Sequence, residues 1–184
     1  MTRSYIFLAT GFEEIEALGT VDILRRAGME VIVVSISKDR MVTGAHGITV
    51  AADVVMAGCD FSDADWLICP GGLPGAEHLS KDEALTTLLI RHNEAGRHVA
   101  AICASPGMVL APLGILKGRN ATAYPGFEKA LEMGGAKPTG QRVEVAGNVI
   151  TGNGPSSTIP FALAIVAATL GDAKAKEVAN AMLV

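Results

Sequence analysis

The sequence has few residues of the kinds that announce a function at once. Its three cysteines, Cys59, Cys69 and Cys103, form no CxxC pair and are an odd number, which argues against a disulfide framework or a zinc site. Charged residues make up 18% of the 184, and the net charge is only −4. Lysines and arginines are scattered among acids, so the basic stripe that a phosphate backbone requires is missing and nucleic acid is not indicated. Long apolar runs are missing as well: a bilayer span needs ~18 or more such residues, and the apolar part of the opening MTRSYIFLATG is too short even for a signal peptide. The expectation is a soluble cytoplasmic protein with no membrane contact. Neither GxGxxG nor a Walker loop occurs, which leaves nucleotide binding without support.

What is present is a regular alternation. Residues 4–9 (SYIFLA) read as a buried strand and 13–28 as a helix with Ile15, Leu18, Val21 and Leu24 on one side. EVIVVSIS is a strand, and MVTGAHGITVAADVVM reads as a hairpin-like excursion around Ala45, His46 and Gly47. WLICPGG, the helical KDEALTTLLIRHNEAG, the strand HVAAIC and a helix over SPGMVLAPLGIL follow. NATAY, a helix in GFEKALEMGG, a strand pair turning at Gly147 and Asn148, and two helices separated by Gly171 complete the chain. Continuous apolar strands alternating with helices predict one α/β domain over 1–184. Its fold class would be a flavodoxin-like, doubly wound three-layer α/β/α sandwich with a mostly parallel central sheet.

In such folds chemistry gathers at the carboxyl ends of the strands. Cys103 stands there, and CASPG has the makeup of a nucleophile elbow, with small neighbours that let the backbone bend and Pro106 suited to a first helical turn. A helix N-terminus beyond Cys103 would favour the thiolate. The plain alternative for Cys103 is a core filler. Cys69 precedes Pro70, which has no N–H to offer an anion, and reads as core; Cys59 reads as an ordinary thiol in a polar connection. Glu13 and Glu14 are most simply carboxylates matched to a helix N-terminus. Glu16 points elsewhere and could face the crevice, its proton held by burial and by the neighbouring sulfur. Gly71 and Gly72 could offer N–H groups as an oxyanion hole, with plain tight turning as the alternative. His46, His78, His92 and His98 read as surface histidines, so no Cys-His pair is visible.

GFEEIEA, VDILRRAG, CPGG, AAICASPGMVLA, ATAYPGFE, VITGNGPSS and FALAIVAATLG together resemble the DJ-1/ThiJ/PfpI superfamily, in its DJ-1-like branch. The resemblance runs in order along nearly the whole chain. It implies a homodimer, a reactive Cys103, a glutamic acid at Glu16 hydrogen-bonded to it, and oxyanion contacts from the amides of Gly71, Gly72 and Ala104. Asp22 and Arg26 would lie near the dimer contact. Tyr124 stands where some relatives carry a histidine, which puts in doubt any mechanism that needs an imidazole there and leaves Tyr124 as a wall or hydroxyl donor.

Two functions follow from the resemblance. One is cofactor-independent, metal-free chemistry on small carbonyl substrates such as methylglyoxal, of the glyoxalase or deglycase type: Cys103 attacks the aldehyde and Glu16 moves a proton between C1 and C2. The other is a redox-sensing or chaperone-like oxidative-stress protein with an oxidisable Cys103 and little turnover. A peptidase is a third reading, weakened by the lack of a partner histidine.

Overall fold

The computed structural model describes residues 3–184. In chain order the elements are β1 (Arg3–Leu8), α1 (Glu14–Arg26), β2 (Glu30–Ser35), β3 (Met41–Thr43), β4 (Thr49–Ala51), β5 (Val54–Val55) and β6 (Ala64–Cys69). Then come α2 (Gly75–Lys81), α3 (Glu83–Glu94), β7 (His98–Ile102), β8 (Asn120–Ala121), α4 (Glu128–Met133) and β9 (Lys137–Pro138). The chain closes with β10 (Val143–Ala146), β11 (Val149–Gly152), α5 (Thr158–Leu170) and α6 (Asp172–Ala181).

Seven strands form the central sheet in the order β10-β11-β7-β6-β1-β2-β5, parallel except for the β10–β11 pair. Period-two alternation divides each inner strand between two cores. Ile6, Leu8, Ile68, Ala100 and Ile102 pack on one face with Ala17, Val21 and Leu24 of α1 and Phe161, Ile165 and Val166 of α5. Tyr5, Phe7, Leu67, Val99 and Ala101 pack on the other with Leu79 of α2 and Leu85 and Leu89 of α3. A sheet covered on both faces needs such continuous apolar strands, and the predicted doubly wound, mostly parallel sandwich is what forms. Among the described residues no helix is long and apolar enough to cross a membrane.

Three local expectations fail. The inward side of α1 keeps Val21 and Leu24 but not Ile15 and Leu18, which are 61% and 38% exposed, while Glu14, Glu16, Ala17, Thr20 and Ile23 are buried with them. Steps of three residues drift by about 60° per step on a 3.6-residue helix, so four such positions cannot share one face. The helix expected from residue 81 starts instead at Glu83, capped by the Asp82 side chain on Leu85 N at 2.8 Å. The short α2 precedes it within what reads as loop.

The helix expected over 105–116 forms only as a five-residue π-helix. Over Pro106–Leu110 the chain winds widely, with Ala111 N reaching Pro106 O at 2.9 Å, five residues back, and turns follow. Gly114, at φ 73°, favours a bend over helix continuation.

The pieces that carry the site are set by this sheet. β1, β6 and β7 are adjacent and parallel, so the loops leaving their carboxyl ends meet. Phe161 is fully buried where α5 crosses β7 and β11, against Ile102 and Gly152. Phe161→Ala is expected to cost about 3–5 kcal/mol of stability, read as a fall in the urea midpoint at unchanged slope.

Candidate active site

Cys103 follows β7 directly with φ 66°. A side chain in this left-handed region costs about 1–3 kcal/mol and persists only when its surroundings hold it. Cys103 N donates to Gly152 O at 2.9 Å, Tyr124 N donates to Cys103 O at 2.8 Å, and Ser105 Oγ donates to Pro70 O at 2.6 Å. These bonds tie the turn to β11, to the 122–127 segment and to the end of β6. The conformation is that of a nucleophile elbow, reached because the strand stops at a residue followed by two small ones.

Glu16 comes from the first turn of α1 and is fully buried. Its backbone N–H donates to the Glu13 side chain, which caps the helix at 2.7 Å. Its Oε2 accepts from Gly71 N at 2.8 Å, and Oε1 has no well-aligned partner among the described residues. Gly71 is what lets carboxyl and thiol meet: a Cβ there would lie 2.5 Å from Cys103 Cβ and 2.7 Å from Glu16 Oε2. Gly72 has φ 90°, and a Cβ on it would lie 2.4 Å from Glu13 N. Both glycines are therefore required by close approach, not merely by turning.

Of the three amides expected to form an oxyanion hole, Gly71 is engaged with Glu16. Those of Gly72 and Ala104 are the ones that act on the sulfur, each pulling the thiol pKa down.

Burial pushes the Glu16 carboxyl up to about 7, against the opposing pull of its contacts with Cys103 and Gly71. Burial, and then the charge and hydrogen bond of Glu16, push the Cys103 thiol up to about 12, against the two amides. Only a five-residue π-helix follows Cys103, and the Glu16 carboxyl adjoins the sulfur, so burial and charge oppose the help that the amides of Gly72 and Ala104 give a thiolate. Two anions do not fit side by side here, so each group, once charged, makes ionisation of the other harder and the pair holds on to a proton that two separate groups would release.

The sulfur opens on a cavity of about 270 Å³ whose wall includes Glu13, His46, Gly72, Ala104, Tyr124 and Phe127. Tyr124 is half exposed, and its backbone anchors the elbow. His46 is the residue that sequence reasoning missed. Its hairpin, β3–β4, folds back on the loop before α1, with Gly11 N on Thr43 O and Ala45 N on Phe12 O, each at 2.8 Å. Glu14, expected to serve the helix dipole, is buried and accepts from His46 N at 2.7 Å while its other oxygen meets His46 Nδ1 at 2.8 Å. No local pattern links residues 14 and 46.

Donor atoms of Glu13, Glu14 and His46 lie within 4.8 Å of one another, a spacing that could hold a cation. Each residue is already committed, Glu13 to Glu16 N and Glu14 to His46, so the donor set fits a hydrogen-bond network better than a metal. Cys69 is fully buried, its thiol pushed up to about 12 by burial, and is a core residue. Cys59 donates to Val55 O at 3.0 Å, away from the cavity. Asp22 and Arg26 form an exposed ion pair on α1.

Residues 2–168 match the family model described as "DJ-1/PfpI family". The chain belongs to that family. It is 35% identical over 176 residues to Protein DJ-1 homolog A of Arabidopsis thaliana, covering 96% of this chain but 45% of that protein; the chain thus spans less than half the length of this relative. It is 31% identical over 153 residues to a protein of Pyrococcus abyssi named as a deglycase, covering 83% of this chain and 90% of that one. Among solved structures, oxidised DJ-1 of Toxoplasma gondii superposes with TM-score 0.94 at 37% identity, covering 100% of this chain and 98% of the other. The DJ-1-like family membership and the sandwich fold read from the sequence agree with these likenesses.

The raised Glu16 pKa carries a stability consequence. Between the ordinary carboxyl value and about 7 the folded protein keeps a proton that the unfolded chain has released. The stabilisation is therefore full below the unfolded pKa and is lost as pH rises through the folded one. Glu16→Gln, which cannot ionise, should gain on wild type by up to about 3 kcal/mol between roughly pH 4 and pH 8, measured by denaturant unfolding at each pH. A constant difference would mean that Glu16 titrates normally.

Proposed function

We propose that this DJ-1-type stress protein acts on small 2-oxoaldehydes such as methylglyoxal, with Cys103 as nucleophile and Glu16 as its proton partner. The observation that carries this reading is the buried carboxyl, its pKa near 7, set against a thiol in a strained elbow at the floor of a small cavity. A group poised near neutrality is matched to take a proton as the transition state forms. Glu16 in its ionised form accepts the S–H proton while sulfur bonds to aldehyde carbon C1. In this reading the amides of Gly72 and Ala104 receive the charge that leaves sulfur and develops on oxygen. The carbonyl oxygen takes up a proton and a hemithioacetal results. Shifting a proton from C1 to C2 makes a thioester, and water splits it to lactate and free thiol. Every atom comes from substrate and one water, so no redox partner is needed.

The Pyrococcus abyssi relative named as a deglycase supports carbonyl chemistry of this kind, with a glycated thiol or amine as a further substrate class. The homodimer implied by the family is proposed here as well. Exposed Ile15 and Leu18 on α1, and an apolar groove of about 610 Å³ that includes Ile15, Asp22, Ile159 and Met182, favour it.

A second reading, oxidation of Cys103 as a sensor, is favoured by the likeness to a DJ-1 structure described as oxidised and by a carboxylic acid placed to hydrogen-bond an oxidised sulfur. Intact mass and peptide mapping after mild peroxide should find Cys103 modified before Cys59 or Cys69; the reverse order removes this reading.

For the enzyme reading, methylglyoxal loss is measured with wild type, Cys103→Ser and Glu16→Gln. Cys103→Ser is expected to fall to background, and Glu16→Gln to lose roughly 100-fold in kcat. Unchanged rates in either variant exclude the mechanism.

A further inference from the structure

One proton in that reaction lacks a carrier. The hydrogen on C1 must leave as a proton, and a proton must arrive at C2. The sequence points to Glu16, but Glu16 has no exposed surface and its Oε2 is engaged by Gly71 N. It can exchange a proton with sulfur, whereas a carbon atom bound in the cavity lies on the open side of that sulfur.

The cavity wall does offer a base. His46 belongs to it, as Cys103 does, and its side chain is 70% exposed while that of its partner Glu14 is 7% exposed. The buried carboxylate meets Nδ1 at 2.8 Å. An ionised carboxylate only accepts, so Nδ1 carries the hydrogen and Nε2 is left as the basic nitrogen. A purely structural role explains this poorly. The hairpin is already pinned to Glu14 by the backbone N–H of His46 at 2.7 Å and to the loop before α1 by Ala45 N, so the ring is not needed for that task.

We propose that His46, oriented by Glu14, is the catalytic base that carries the proton from C1 to C2 of the Cys103-bound substrate. Nε2 takes the C1 proton, the electron pair left behind forms the C1–C2 double bond, and the C2 carbonyl oxygen takes a proton from water. The imidazolium then returns its proton to C2 while the C1 hydroxyl gives its proton back to that hydroxide and becomes the thioester carbonyl. Protons are exchanged between carbon and oxygen with none lost, and His46 ends neutral.

The charged groups around the ring are Glu14 on α1 and its cap Glu13, with Cys103 and Tyr124 also facing the cavity and Glu16 behind the sulfur. Hydrogen bonding and charge from Glu14 raise the imidazole above its ordinary pKa. Turnover that needs the neutral ring therefore climbs as pH rises through that raised value.

This assignment rests on the Cys103 chemistry proposed above, and the experiment separates the two. Wild type, His46→Gln and Glu14→Gln are compared for methylglyoxal turnover against pH, and for the rate at which iodoacetamide alkylates Cys103, followed by intact mass. His46→Gln is expected to alkylate as wild type does, to lose about 100-fold in kcat, and to lack the acid limb that belongs to the imidazole. Glu14→Gln is expected to keep that limb but to move it to lower pH. An NMR titration of the His46 ring checks that shift without turnover.

Wild-type kcat and pH profile in His46→Gln, a limb unmoved in Glu14→Gln, or equal losses of alkylation and turnover in His46→Gln would each overturn the assignment while leaving the Cys103 reading intact. Wild type without Cys103-dependent turnover overturns both.

Discussion

The site depends on a thiol and a carboxyl that share protons in a space too dry for both to be charged. Burial alone raises each group, and their proximity separates the two proton losses further, to about 7 and about 12. Everything nearby serves that meeting. Gly71 has no side chain where one would collide with both groups, its N–H holds Glu16, and its C=O accepts from Glu13 N at 2.9 Å. The elbow at Cys103 is strained, and bonds that join it to Gly152, Tyr124 and, through Ser105, Pro70 on three separate segments hold it.

The parallel sheet makes this affordable. Neighbouring strands β1, β6 and β7 deliver the loops bearing Glu16, Gly71 and Cys103 to one end, and two cores clamp the sheet from either side. A bend that is costly by itself is over-determined by the packing below it. The same geometry couples the sulfur to its partner. Burial raises both the carboxyl and the thiol, and the charge of either group works against ionisation of the other.

Residues 11–14 show how a short segment can serve several ends. Gly11 pairs with the β3–β4 hairpin, Glu13 caps α1, Glu14 captures His46, and two residues further on Glu16 meets the thiol. As a linear string, GFEEIE looks like the acidic first turn of an ordinary helix. In the fold, its three carboxylates have three different neighbours and all are buried.

The sequence by itself determined the layered α/β architecture, because uninterrupted apolar strands alternating with helical periods have few other ways to bury both sheet faces. It also marked the turn at Cys103, since Ala104, Ser105 and Pro106 state a local backbone requirement. The inward side of α1, the wide turn after Cys103 and the engagement of Gly71 by Glu16 were decided by tertiary structure. So was the arrival of His46, brought to Glu14 by the folding back of a hairpin thirty-two positions away in the chain. Propensity and periodicity are local quantities, whereas proton sharing and imidazole orientation depend on which distant groups burial forces into contact.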